Sequence, residues 1–228
     1  MAPSGRIANM VSRMVVALCA LGLHSSFAVS EPISVTALAR TNRANFGSDS
    51  ASPQVQEIAD WVIDSRNNTG MPFAIVDKVE ARVFVFTTTG VLRGVAPALL
   101  GSARGDNSVP GIGDKKLADI RPQERTTPAG RFTAEMGINM RGEDILWIDY
   151  DTAISLHRVI TSNAKEHRQQ RLDTPTPLDN RITYGCINVS EDFYVHVVRP
   201  IFSGTPGIVY VLPEVSSTQE VFHSYRVE

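Results

Sequence analysis

The chain has 228 residues, with 22 Lys and Arg against 24 Asp and Glu, for a net charge of −2. That length suits one ordinary domain with a sizeable core. The balance of charge argues against a nucleic-acid-binding protein, which carries a basic excess.

Residues 1–13 contain Arg6 and Arg13 and no acid; an apolar run from Met14 to Leu23 follows, then the small residues Ala28 and Ser30. This is the order of a secretory signal, with cleavage expected before Glu31. The apolar run is too short to cross a bilayer, which takes about 20 residues. Leu18 precedes Cys19, where a lipid-modified cysteine needs a small residue, so no lipoprotein is read. Loss of residues 1–30 removes two arginines and no acids, leaving 20 basic against 24 acidic residues and a balance of −4. It also leaves Cys186 as the one cysteine. In an oxidising compartment a single thiol has no internal partner and is flagged as reactive.

Residues 31–52 mix Asn, Ser and Gly and read as a lead-in with little order. Ser52-Pro53 opens a helix: Val55, Ile58, Ala59, Val62 and Ile63 recur at helical spacing, and Asn67-Asn68-Thr69-Gly70 stops it. From Phe73 the period becomes that of strands. Phe73–Val76 and Arg82–Thr87 read as a hairpin, and Val91–Leu100 as a third strand. Residues 101–114 form a loop in which Arg104-Gly105-Asp106 is read as a surface turn. A strand follows through Met136, then a hairpin of Ile145–Tyr150 and Ala153–His157. In its second arm Ser155 and His157 share the face opposite Ile154 and Leu156.

Residues 159–181 are polar, without an apolar period, and read as a loop or lid. Ser190-Glu191-Asp192 caps a short helix that Pro200 kinks or ends, Gly207–Leu212 is a last strand, and residues 214–228 are a polar tail. The fold expected is mainly β, with one or two accessory helices. The expected segments are a signal (1–30), a lead-in and helix (31–70), one domain (71–213) and a tail (214–228).

The chemistry centres on Thr183-Tyr184-Gly185-Cys186-Ile187-Asn188. A thiol on a tight turn beside glycine is open to a substrate carbonyl, and neighbouring backbone N–H groups can meet the oxygen that becomes negative. The alternative is a buried Cys acting as a small hydrophobe. No His, Asp, Glu or Cys group has metal-ligand spacing.

This segment resembles the Ser/Thr-His-Gly-Cys-apolar-Arg/Asn signature of the L,D-transpeptidase (YkuD-like) catalytic domain. Thr127-Pro128-Ala129-Gly130-Arg131-Phe132 resembles that family's Thr-Pro-x-Gly-x-Phe turn, the strand ending in His157 its strand ending in the catalytic histidine, and Phe73–Phe86 its opening pair of strands. The resemblance covers roughly residues 72–213. It implies a β-sandwich-like catalytic domain, exported to the periplasm or outside, that acts on peptidoglycan stem peptides through a thioester on Cys186. It implies no metal and no organic cofactor. His157 would be the base, oriented by a backbone carbonyl rather than by an acid. The N–H groups of Gly185 and Cys186 are read as oxyanion donors. Asn188 either braces the turn or is an ordinary strand-end residue. Thr183 either lines the groove or packs. Water in place of an amine acceptor would make the protein an L,D-carboxypeptidase or amidase-type hydrolase. Loss of chemistry would leave a wall-binding module.

Two departures stand out. Tyr184 replaces the family's usual histidine, and its substrate contact would differ accordingly. The stretch from His157 to Cys186 is long and carries Lys165, His167, Arg168, Arg171 and Arg181. Arg168 and Arg171 are candidates for docking substrate carboxylates through bidentate pairs; the alternative is a solvated loop. Spacing favours His167 as base, but local structure favours His157, which ends a patterned strand.

Overall fold

The computed structural model describes residues 42–228. The expected signal and half of the lead-in lie outside the described residues. Helix α1 (Pro53–Ser65) starts where the sequence places it: the Ser52 hydroxyl accepts from the Val55 N–H, Pro53 occupies the first turn, and Arg66 closes the helix in the left-handed region. Its Val55, Ile58, Ala59, Trp61 and Val62 are buried.

The strands are β1 (Phe73–Asp77), β2 (Arg82–Phe86), β3 (Leu92–Pro97), β4 (Leu100–Gly101), β5 (Gly130–Ile138), β6 (Asp144–Asp149), β7 (Ile154–Arg158), β8 (Arg181–Thr183), β9 (Ile187–Val189) and β10 (Gly207–Val211). Eight of them form one sheet in the order β3-β2-β1-β10-β5-β6-β7-β9, and β4 pairs with β8. The protein is mainly β, with helices as accessories.

Each strand near the middle of the sheet is apolar on both faces because each face has its own core. Phe73 and Ile75 of β1 meet α1, while Ala74 and Val76 face the second core. That second core joins Val83, Val85 and Ala96 from one end of the sheet to Leu146, Leu156, Ile187 and Val189 from the other. The sheet therefore folds over on itself into two facing layers. An antiparallel bridge between Leu99 and Asn188 fastens the two ends. The described residues fall within one compact unit, and none of their helices is long and apolar enough to cross a membrane.

The structure differs from the sequence reading in four places. The third strand is split into β3 and β4, because the chain leaves β2 to pair with β8. Pro200 does not end its helix: α3 (Glu191–Phe193) runs through a wide π turn, Tyr194–Val198, into α4 (Arg199–Phe202). A π turn absorbs the missing proline donor and the clash of its ring. The tail holds a further helix, α5 (Thr218–Phe222), with Phe222 packed on the core beside α1.

Asp106, finally, is not a surface residue. Its carboxylate accepts from Lys78 Nζ at 2.8 Å and from the N–H groups of Glu214, Val215 and Ser216. Lys78 is 1% exposed and also donates to the carbonyls of Gly105 and Thr127. The ion pair thus ties the 101–129 segment to the tail.

Candidate active site

Cys186 sits in the turn between β8 and β9. Two threonines hold that turn. The Thr183 hydroxyl accepts from the Gly185 N–H at 3.1 Å and donates to the Cys186 carbonyl at 2.6 Å. The Thr127 hydroxyl accepts from the Gly101 N–H at 2.9 Å and donates to the Gly185 carbonyl at 2.8 Å. Gly185 has φ +134, and a Cβ there would lie 2.7 Å from Ile154 Cδ1 and 2.9 Å from the Thr126 carbonyl oxygen. Only glycine fits both the angle and the space.

His157 lies opposite, at the end of β7, which runs parallel to β9 with His157 beside Asn188. Its Nδ1 is 2.7 Å from the Arg158 carbonyl. A carbonyl only accepts, so Nδ1 carries the proton and the lone pair is on Nε2. Nε2 faces the Asn188 amide nitrogen at 3.1 Å, and the imidazole borders the same cavity as the Cys186 thiol. The Ser155 hydroxyl and the Ala153 carbonyl are each 3.6 Å from Sγ.

Burial pushes the thiol up, but the hydrogen bond and charge of His157, with the hydroxyl and N–H of Ser155, outweigh it and hold Cys186 below the ordinary thiol range. Burial likewise pushes His157 down, and the Cys186 hydrogen bond and charge with the Arg158 carbonyl overcome it, so the imidazole lies above its usual value. The two shifts belong to one coupled pair and favour thiolate with imidazolium.

Two cavities open on the thiol. One, of about 270 Å³, is bordered by His157, Ile160, Glu166, Arg168 and Asn188. The other, of about 80 Å³, lies on the side of Ile112, Glu124, Thr126 and Ile154. Cys186, Tyr184 and Leu117 border both. Tyr184 is held in place by the Arg125 guanidinium, 3.9 Å above its ring.

The structure brings Cys186, His157, Gly185, Thr183, Tyr184, Asn188 and Arg168 together. The Thr183 hydroxyl is committed to the turn. The Gly185 N–H is likewise taken by Thr183, whereas the Cys186 N–H has no acceptor among the described residues. Asn188 is 1% exposed, and its backbone exchanges two hydrogen bonds with Leu99.

The 159–181 segment is not a featureless loop. It contains a 3-10 turn, Ala164–Glu166, and helix α2 (Arg168–Asp173), whose Leu172 is buried. Arg171 does not border either cavity; its Nε and Nη1 donate to the carbonyls of Glu166 and Asp179. His167 is exposed at the start of α2. Sequence reasoning missed Ser155, Thr127, Leu117 and Glu166. Ser155 had a signal, the shared strand face with His157. Thr127 had only its place in a Thr-Pro turn. Among the described residues no group of three or more His, Cys, Asp or Glu side chains is placed to hold a metal ion.

No family model matches the chain, and no curated protein matches it. Several solved structures do. One described as the Ldtfm–avibactam carbamoyl enzyme is 16% identical, over 63% of this chain and 49% of its own, with a TM-score of 0.38. An L,D-transpeptidase from Xylanimonas cellulosilytica is 13% identical over 62% of this chain and 60% of its own, with a TM-score of 0.38. The catalytic domain of the E. faecium L,D-transpeptidase is 17% identical over 62% of this chain and 96% of its own, with a TM-score of 0.35. The chain spans 49% and 60% of the first two structures. None of these likenesses is close enough to bear on chemistry, which rests on the residues of the site.

Proposed function

We propose that this protein is an exported cysteine acyltransferase of L,D-transpeptidase type, acting on peptidoglycan stem peptides. The observation that carries the proposal is a thiol at the meeting point of two cavities with an imidazole on the wall of one. One cavity can hold the acyl donor while the other admits the group that takes over the acyl chain.

In the first step Cys186 Sγ attacks the scissile carbonyl, forming an S–C bond. The carbonyl oxygen becomes negative, and the Cys186 N–H, which has no acceptor among the described residues, is the donor available to meet it. The Gly185 N–H would first have to leave Thr183. The thiol proton passes to His157 Nε2 as Sγ attacks. It passes to the departing amine as the C–N bond breaks, leaving a thioester and a neutral imidazole. In the second step His157 takes a proton from an incoming amine, which displaces the thiolate. Tyr184 and Leu117 stand between the two approaches. Arg168 is left with Nη2 for a substrate carboxylate, since Nη1 and Nε are occupied by Asn188 and Glu166. Arg171 braces the segment through its carbonyl contacts.

A second reading has water resolve the thioester, and the small volume of the second cavity favours it. Incubation of the protein lacking residues 1–30 with a disaccharide-tetrapeptide, followed by mass analysis, separates the two. Cross-linked product with loss of the terminal residue supports transfer. A shortened tripeptide alone supports hydrolysis. Unchanged substrate, with no acyl adduct on Cys186, removes both.

A further inference from the structure

Asn188 is joined on its far side to a residue of the 159–181 segment. Arg168 Nη1 donates to Asn188 Oδ1 at 2.9 Å, and Arg168 Nε donates to Glu166 Oε2. An amide offers one acceptor end and one donor end. With Oδ1 occupied by a guanidinium that can only donate, Nδ2 must be the end that meets His157 Nε2. The observed contact there is 3.1 Å.

From this geometry we infer that Arg168 is a positioning residue for the catalytic imidazole, acting through Asn188. The inference rests on the reading of His157 and Cys186 as an acyl-transfer pair. It reaches beyond that reading, because it gives the inserted segment a task inside the chemistry.

The physical consequence concerns the protonated state. When His157 takes the thiol proton, Nε2 becomes a donor and faces the Asn188 N–H groups, a donor against a donor. The proton on Nε2 is then held only by the thiolate, and later by the leaving amine, so it is easily given up. Without Arg168 the amide is free to turn and present Oδ1 to Nε2–H. That turned amide would stabilise the imidazolium and hold back its proton. The Arg168 charge acts in the same direction, pressing the imidazole toward its neutral form. The other charged or titratable groups bordering this cavity are Glu166, the Tyr184 phenol and the Cys186 thiol. The Arg158 guanidinium is turned away, paired with Asp144 and lying over the Tyr194 ring.

A docking role and a positioning role for Arg168 predict different kinetics. Docking alone would raise KM. Positioning lowers kcat and moves the imidazolium limb of the pH profile upward, beside any rise in KM from the lost Nη2 contact. The test compares Arg168→Met, Arg168→Lys and Leu172→Ala in the protein without residues 1–30. The readouts are turnover of the tetrapeptide against pH and the titration of the His157 ring by NMR.

Arg168→Met is expected to lower kcat roughly tenfold or more and to raise the His157 titration by about half a pH unit or more. Arg168→Lys keeps a donor and the charge and is expected to hold the His157 titration closer to the parent than Arg168→Met does. Leu172→Ala loosens the packing of α2 but keeps Arg168, and is expected to leave the titration in place. A titration unmoved in Arg168→Met, or moved equally in Leu172→Ala, overturns the inference. The ring titration needs no substrate. A parent protein inactive on the tetrapeptide therefore counts against the proposed function, while the titration still judges the Arg168–Asn188 linkage.

Discussion

Replacing Thr127 by Val keeps the volume of a fully buried side chain and removes only its hydroxyl. Two groups lose their partner, the Gly101 N–H and the Gly185 carbonyl. Each buried polar group left unsatisfied costs about 1–3 kcal/mol, so the pair is worth about 2–6 kcal/mol. For a domain of this size that lowers the melting temperature by roughly 4–24 °C.

The same change frees the peptide before the nucleophile, so Cys186 loses its fixed aim at His157. Alkylation of Cys186 by iodoacetamide at pH 7 should therefore slow along with the loss of stability. Thr127→Ser keeps the hydroxyl and should recover most of both. The measurements are thermal unfolding by circular dichroism and alkylation followed by intact mass at a temperature where all variants are folded. A Thr127→Val protein that melts within about 2 °C of the parent and alkylates at the parent rate would refute the clamp.

Three further outcomes are expected. His157→Ala should lower acylation of Cys186 by roughly 10²–10⁴-fold, whereas His167→Ala should leave most of it; the reverse result, with both proteins folded, would assign the base wrongly. The alkylation rate of Cys186 should rise with pH through a value below that of a free cysteine peptide, and His157→Ala should move that limb upward, because the imidazole opposes the effect of burial on the thiol; a limb at the free-thiol position in the parent would count against the pair. Asp106 is held at about 2: burial raises it, while the Lys78 hydrogen bond and charge and the N–H groups of Ser216 and Glu214 lower it further. Because this folded value is depressed, its contribution of about 2 kcal/mol is present above the unfolded carboxylate value and is lost as pH falls through the folded one. Denaturant midpoints measured at descending pH should fall between about pH 4 and pH 2, and a flat profile across that window would remove the ion pair from the stability of the fold.

The sequence by itself determined what depends on neighbours in the chain. The Ser52 cap and the stop after Ser65 placed α1 because capping and helical spacing are local properties. Two-residue alternation in β7 put Ser155 and His157 on one face for the same reason. A glycine before the one cysteine of the described chain marked the turn, and Gly185 does need its positive φ there.

Tertiary structure decided everything that depends on which segments meet. Arg104-Gly105-Asp106 reads as a surface tripeptide until the tail returns its N–H groups to the carboxylate. β7 pairing with β9 sets His157 beside Asn188 and on the cavity that Cys186 borders, while His167 is exposed at the start of α2; the preference for His157 as the proposed base therefore rests on strand pairing and not on spacing in the chain. Thr127 is 59 residues from Cys186 in the chain, and no local pattern could disclose that its hydroxyl holds the turn that carries Cys186. The polar 159–181 segment lacks an apolar period because it is anchored mainly by guanidinium–carbonyl and guanidinium–amide contacts. Such contacts leave no periodic trace in sequence and become visible only once the partners have been brought together.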